Sequence, residues 1–153
     1  IKGLKQLAAA PDALPDKSLR DGLYFASLWA GMVLNSCGTA FPHPFGYILT
    51  EDFNVDHGMA CAVFLPSLIE RAEVQVPQRT QALYAFCGGK DILMQTLAAL
   101  TEATRQRIHM TRAQIDTYAE RWPALKEKNF ARVPGGFTPE EGIELFQRLF
   151  LPA

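Results

Sequence analysis

The sequence is short of charge imbalance, histidine, cysteine and strand signal, and each shortage excludes something. Its 15 Lys+Arg and 16 Asp+Glu leave a formal net charge of -1, without the basic excess that nucleic-acid binding needs; no nucleic-acid partner is expected. No run of about 18 apolar residues escapes a polar break, so no membrane-spanning helix is expected either. Three cysteines (Cys37, Cys61 and Cys87) are scattered over 153 residues. Such an odd, sparse set builds no disulfide framework and suits a reducing, cytoplasmic setting. There is no repeat, no low-complexity tract and no linker rich in Ser or Gly. Period-two alternation is confined to Glu73-Val74-Gln75-Val76, which Pro77 ends at once; that stretch reads as a loop between helices. The chain opens at Ile1 with no signal-like segment, and it is read as a piece of a longer protein.

What remains is apolar and helical. At 48% hydrophobic and 20% charged, the chain has ample material for one core, and its length suits one domain over 1–153. Pro15-Asp16 precedes Leu19, Leu23, Ala26, Ala30, Val33 and Leu34, a helical stripe with Asp16 as N-cap. Gly22, Ala26 and Ala30 leave one side of that helix thin enough for a close neighbour. Gly88-Gly89 stops one helix before Asp91 caps the next, which runs on through Leu100 to Arg107. Thr111 to Gln114 has capping-box form, with Ile115, Tyr118, Ala119 and Trp122 as the apolar face and Pro123 as the stop. Thr138-Pro139-Glu140-Glu141 opens a last helix whose buried side is Ile143, Phe146, Leu149 and Phe150. The fold class is all-α, a multi-helix, bundle-like domain.

Chemistry has few places to sit. His43 and His57 flank an unusual segment, and small or apolar residues from Ala60 to Leu65 put His57 at the head of a buried helix. A buried imidazole left unbonded costs about 1–3 kcal/mol, so it needs a partner: a metal, a substrate or a backbone carbonyl. Two histidines 14 residues apart make no i, i+4 pair, and on spacing alone hydrogen-bonded structural histidines are the more ordinary reading. Asp52 and Asp56 lie between them as candidate oxygen ligands or as solvated loop carboxylates. His109 reads as a solvent-facing ring near a helix end, and Arg105, Arg107 and Arg112 as a wet face. Cys61 reads as a small core residue, and Cys37 as a packed one beside Gly38. Cys87-Gly88-Gly89-Lys90 lacks the spacing of a phosphate loop, and no nucleophile motif occurs.

Two longer segments carry a resemblance. Cys37-Gly38-Thr39-Ala40-Phe41-Pro42-His43-Pro44-Phe45-Gly46-Tyr47-Ile48-Leu49-Thr50, followed by Asp56-His57-Gly58-Met59-Ala60-Cys61-Ala62-Val63-Phe64-Leu65-Pro66, resembles the iron-containing (group III) alcohol dehydrogenases. In that family a His is followed 14 residues later by a His-Gly that opens an apolar helix ending near a Pro. Asn129-Phe130-Ala131-Arg132 and Thr138-Pro139-Glu140-Glu141 look like its closing loop and last helix, and the Ser18 to Asn35 helix like the one before its metal histidines. The resemblance implies the C-terminal helical half of a two-domain enzyme. In it His43 and His57 would be two of four ligands to Fe2+ (Zn2+ in some members), and Tyr47 would stand close to the nicotinamide of NAD or NADP. The parent's reaction would be reversible oxidoreduction of a small alcohol or aldehyde, with the metal as Lewis acid and the cofactor carrying the hydride. The family's other two ligands, an Asp and a His four residues apart, have no counterpart here, nor does its glycine-rich phosphate turn. The dinucleotide-binding domain and first ligand helix would therefore lie outside this chain. The chain alone is expected to be inactive, with no catalytic residue assigned. The alternative is a non-catalytic helical interaction or self-association module, a homo-oligomer joined through apolar surface.

Overall fold

A computed structural model describes residues 2–9 and 16–152. The described residues form nine helices and no strand: α1 (Lys2–Ala9), α2 (Lys17–Cys37), α3 (Pro42–Phe53), α4 (His57–Ala62), α5 (Leu65–Gln75), α6 (Pro77–Cys87), α7 (Lys90–Gln106), α8 (Arg112–Ala131) and α9 (Pro139–Phe150). The architecture is all-α, as the sequence predicts.

The local start signals act as their chemistry requires. Asp16 accepts from the Leu19 N–H at 2.9 Å and caps α2; Pro15, the other half of that signal, lies outside the described residues. Thr111 and Thr138 each close a full capping box, with Gln114 and Glu141 reaching back to the cap backbone. Each box satisfies two N–H groups that the first helical turn leaves orphaned. Gly88 takes the left-handed conformation (φ 85°) that ends α6. The residue opening α7 is Gly89, not Asp91, which instead places its carboxylate in the first turn, where the helix dipole favours negative charge.

Three sequence expectations are corrected. Glu73 to Gln75 is not a loop but the last turn of α5, and α6 starts after the single joint residue Val76; Pro77 serves as a helix start, where its missing N–H costs nothing. Pro123 does not stop α8, which runs on to Ala131. An internal proline forfeits one backbone bond. Here Tyr118, Ala119 and Trp122 before it and Asn129 and Phe130 after it are all buried, so packing on both arms outweighs the lost bond. In α9 the buried stripe is Gly142, Leu145, Phe146 and Phe150, with Ile143 and Leu149 only half-buried.

The core centres on Phe45 of α3, which is fully buried. Its ring lies 4.8–5.9 Å, centroid to centroid, from those of Phe41, Phe64, Trp122, Phe130, Phe137 and Phe146, in the tilted and edge-on arrangements that aromatic quadrupoles favour. One helix thus meets α8, α9 and the α4–α5 corner. Asn129 donates to Thr39 and ties the entry of α3 to α8. Pro42 and Pro44 occupy the first turn of α3, where their missing N–H groups would have no intrahelical partner. A smaller cluster of Tyr84, Cys87, Leu93 and Leu97 joins α6 to α7. Outside these, α2 buries none of its residues, and Gly22 on its thin side has nothing within 4 Å of a Cβ placed there.

Candidate metal centre

Burial of Phe45 and Leu49 fixes which side of α3 faces away from the core. His43, Gly46, Tyr47 and Thr50 fall at i, i+3, i+4 and i+7, one helical face, and that face meets α4. The turn that returns the chain uses Asn54 in the left-handed region (φ 51°), with its N–H on the Leu49 carbonyl. Helix α4 then begins at His57, and Gly46 decides how close it lies. A Cβ on Gly46 would come within 2.7 Å of Cys61 Sγ and 3.2 Å of the Cys61 backbone nitrogen.

Close approach brings the two histidines together. His43 Nδ1 and His57 Nε2 are 3.3 Å apart, with their rings edge-on at 4.8 Å. The outward nitrogens are engaged in turn. Tyr47 Oη lies 3.1 Å from His43 Nε2, and Thr50 Oγ1 lies 3.3 Å from His57 Nδ1. Because the Thr50 hydroxyl donates to the Gly46 carbonyl at 2.9 Å, its oxygen accepts from His57 Nδ1–H. That fixes the tautomer and turns the bare Nε2 toward His43. The Tyr47 ring also stacks on His57, 4.8 Å away with 27° between planes. Cys61 Sγ completes the cluster at 3.6 Å from His57 Nε2 and 3.9 Å from His43 Nδ1. All three donors are half-buried, and burial pushes the Cys61 thiol above its ordinary value.

Residues 3–133 match the C-terminal domain of the Fe-containing alcohol dehydrogenase family. The chain belongs to that family. No curated protein and no solved structure matches it. As in the alcohol dehydrogenase resemblance drawn from its sequence, the His pair lies inside the matched span.

The donors suit the kind of ion such a dehydrogenase contains. Two imidazoles bound tetrahedrally at about 2.0–2.1 Å hold their nitrogens about 3.3–3.4 Å apart, and the separation here is 3.3 Å. Hydroxyls on both far nitrogens are the outer partners that orient ligating imidazoles. Among the described residues, the three donor atoms that lie within 4.8 Å of one another belong to His43, His57 and Cys61; neither Asp52 nor Asp56 joins them. Asp52 instead faces Tyr118, whose hydroxyl is pushed up to about 12 by burial and by that carboxylate. Both residues line a cavity of about 310 Å³ with Tyr47, Glu51, Arg121 and Trp122.

Other sequence readings fare unevenly. His109 is exposed. Cys37, the last residue of α2, is exposed rather than packed. Two site residues escape a residue-by-residue reading. Thr50 follows His43 by two helical turns, and Cys61 follows His57 by one, so the i, i+4 spacing within α4 is the signal available for Cys61.

Proposed function

We propose that this chain is the metal-holding helical half of an alcohol dehydrogenase, with His43 and His57 as two protein ligands to a divalent iron or zinc ion. The observation carrying it is the convergence of His43 Nδ1 and His57 Nε2 at 3.3 Å from two different helices. Tyr47 and Thr50 contact the far nitrogens and orient the two rings, and imidazole nitrogens are donors that a borderline cation takes. When bound, the metal supplies a Lewis acid that polarises an alcohol or carbonyl oxygen. The exposed flank of Tyr47 is the side from which the nicotinamide of NAD or NADP approaches, and the cavity between Tyr47 and Tyr118 adjoins it. The full protein interconverts a small alcohol and its aldehyde in the cytoplasm, using a dinucleotide-binding domain and further ligands outside this chain. The chain alone holds no glycine-rich cofactor turn and does not reduce aldehydes with NAD(P)H.

A second reading, a non-catalytic self-associating module, is favoured by α2, where Tyr24, Phe25, Trp29 and Val33 are each more than half exposed. Zinc titration followed by the NMR signals of all three imidazoles separates the two. His43 and His57 are expected to shift together and saturate while the exposed His109 stays put. Equal response of all three rings, or none, refutes the metal reading.

A further inference from the structure

The site as described has three donors, and the third is a thiol. We propose that Cys61 is a metal ligand, so that His43, His57 and Cys61 form a set of two imidazole nitrogens and one thiolate sulfur able to hold Zn2+ within this chain. The inference rests on the His43/His57 reading and goes beyond it. It assigns a third corner of the polyhedron to this chain's own sulfur and predicts which ion is preferred.

Geometry carries the argument. A tetrahedral ion with metal–sulfur and metal–nitrogen bonds of about 2.3 and 2.0–2.1 Å separates sulfur from nitrogen by about 3.6 Å. Cys61 Sγ lies 3.6 Å from His57 Nε2 and 3.9 Å from His43 Nδ1. All three edges of one triangular face therefore lie within about 0.3 Å of tetrahedral values. The sulfur is held there from both sides. It sits one turn after His57 on α4, and it fills the space that the missing Gly46 side chain leaves on α3. A larger residue at position 46 would expel it. The fourth corner of a tetrahedral site is left to a donor from outside this chain, a solvent molecule in the isolated chain. As the sulfur–metal bond forms, the thiol proton passes to solvent. Soft thiolate favours zinc and its cobalt surrogate over ferrous iron.

Cobalt titration of the whole chain tests this. Co2+ is expected to give intense four-coordinate d–d bands together with a near-ultraviolet thiolate-to-cobalt charge-transfer band, both abolished by excess Zn2+. Cys61→Ser should lose the charge-transfer band and at least about tenfold in affinity, while His43→Gln should weaken both signals. Bands of unchanged position and affinity in Cys61→Ser, or d–d bands with no charge-transfer partner in the wild type, overturn the thiol assignment and leave the His pair standing. Absence of any cobalt spectrum overturns both. Alkylation of the unsubstituted protein supplies a readout independent of variant folding: Zn2+ should protect Cys61 and leave exposed Cys37 reactive. Equal labelling of Cys61 with and without Zn2+ refutes the proposal.

Discussion

Helices α2 and α3 are both rich in large apolar residues, yet they meet opposite fates. In α3, Pro42, Pro44, Phe45, Gly46 and Leu49 are buried, whereas α2 buries nothing along 21 residues. Trp29 is 65% exposed and Phe45 0%. The difference lies in neighbours: α3 packs against α4 and α8, whereas the main described neighbour of α2 is α1. The apolar residues of α3 are gathered on one face, leaving the opposite face to His43, Gly46, Tyr47 and Thr50. Those of α2, among them Tyr24, Phe25, Leu28, Met32 and Val33, stay exposed among the described residues. A helix packed on several neighbours serves both a core and a site. One with few neighbours presents surface and no site.

The largest test of that contrast is paired truncation. Phe45→Ala should cost about 3–5 kcal/mol of unfolding free energy, while Phe25→Ala and Trp29→Ala each stay within about 0.5 kcal/mol. Urea denaturation measures all three, and comparable losses on both helices would break the comparison. Next comes Gly46→Ala. A methyl there meets Cys61 Sγ at 2.7 Å and backbone at 3.2 Å, so a loss of about 1–3 kcal/mol is expected from overpacking, with weaker zinc binding as α3 and α4 part. Stability lost with zinc affinity intact would show that the close approach does not set the site.

A smaller effect separates the helix caps. Thr138→Ala removes a capping box on a helix packed into the core and should lower the global unfolding free energy by about 1 kcal/mol. Asp16→Ala on α2 should fray that helix locally, seen as faster amide exchange, without moving the denaturation midpoint. The smallest concerns acid. Burial disfavours the Glu141 carboxylate, but the Thr138 N–H and the Arg71 guanidinium outweigh it and hold the group below its ordinary 4.5. A carboxyl depressed in the folded state adds stability above the unfolded value, and that stability is lost as pH falls through the folded one. Glu141→Gln should therefore flatten the stability profile below about pH 4.5, by no more than about 1 kcal/mol because Arg71 and Glu141 are partly solvated. An unaltered slope would assign the acid sensitivity elsewhere.

Much of the fold is legible in the sequence because helix ends are local chemistry. Asp16, Thr111, Thr138 and the Gly88 stop each act within four residues, and Ile115, Tyr118, Ala119 and Trp122 bury as their spacing requires. Pro123 misleads because its local cost is offset by packing partners distant in sequence, and the exposed Cys37 because burial needs a neighbour no spacing guarantees. The site is half legible. His43 and His57 stand out as rare residues, but their meeting depends on a tertiary contact that Gly46 permits. The Cys61 thiol joins only through that same contact.

Pro42 and Pro44 stand on either side of His43, and each fixes its own φ near −65°. In the folded chain, helix α3 sets the backbone that carries this imidazole. A cation closing on His43 and His57 would meet a ring whose backbone the folded helix already holds. Stiffness of that kind would strengthen binding without adding a contact, and would help a site with few donors to retain an ion.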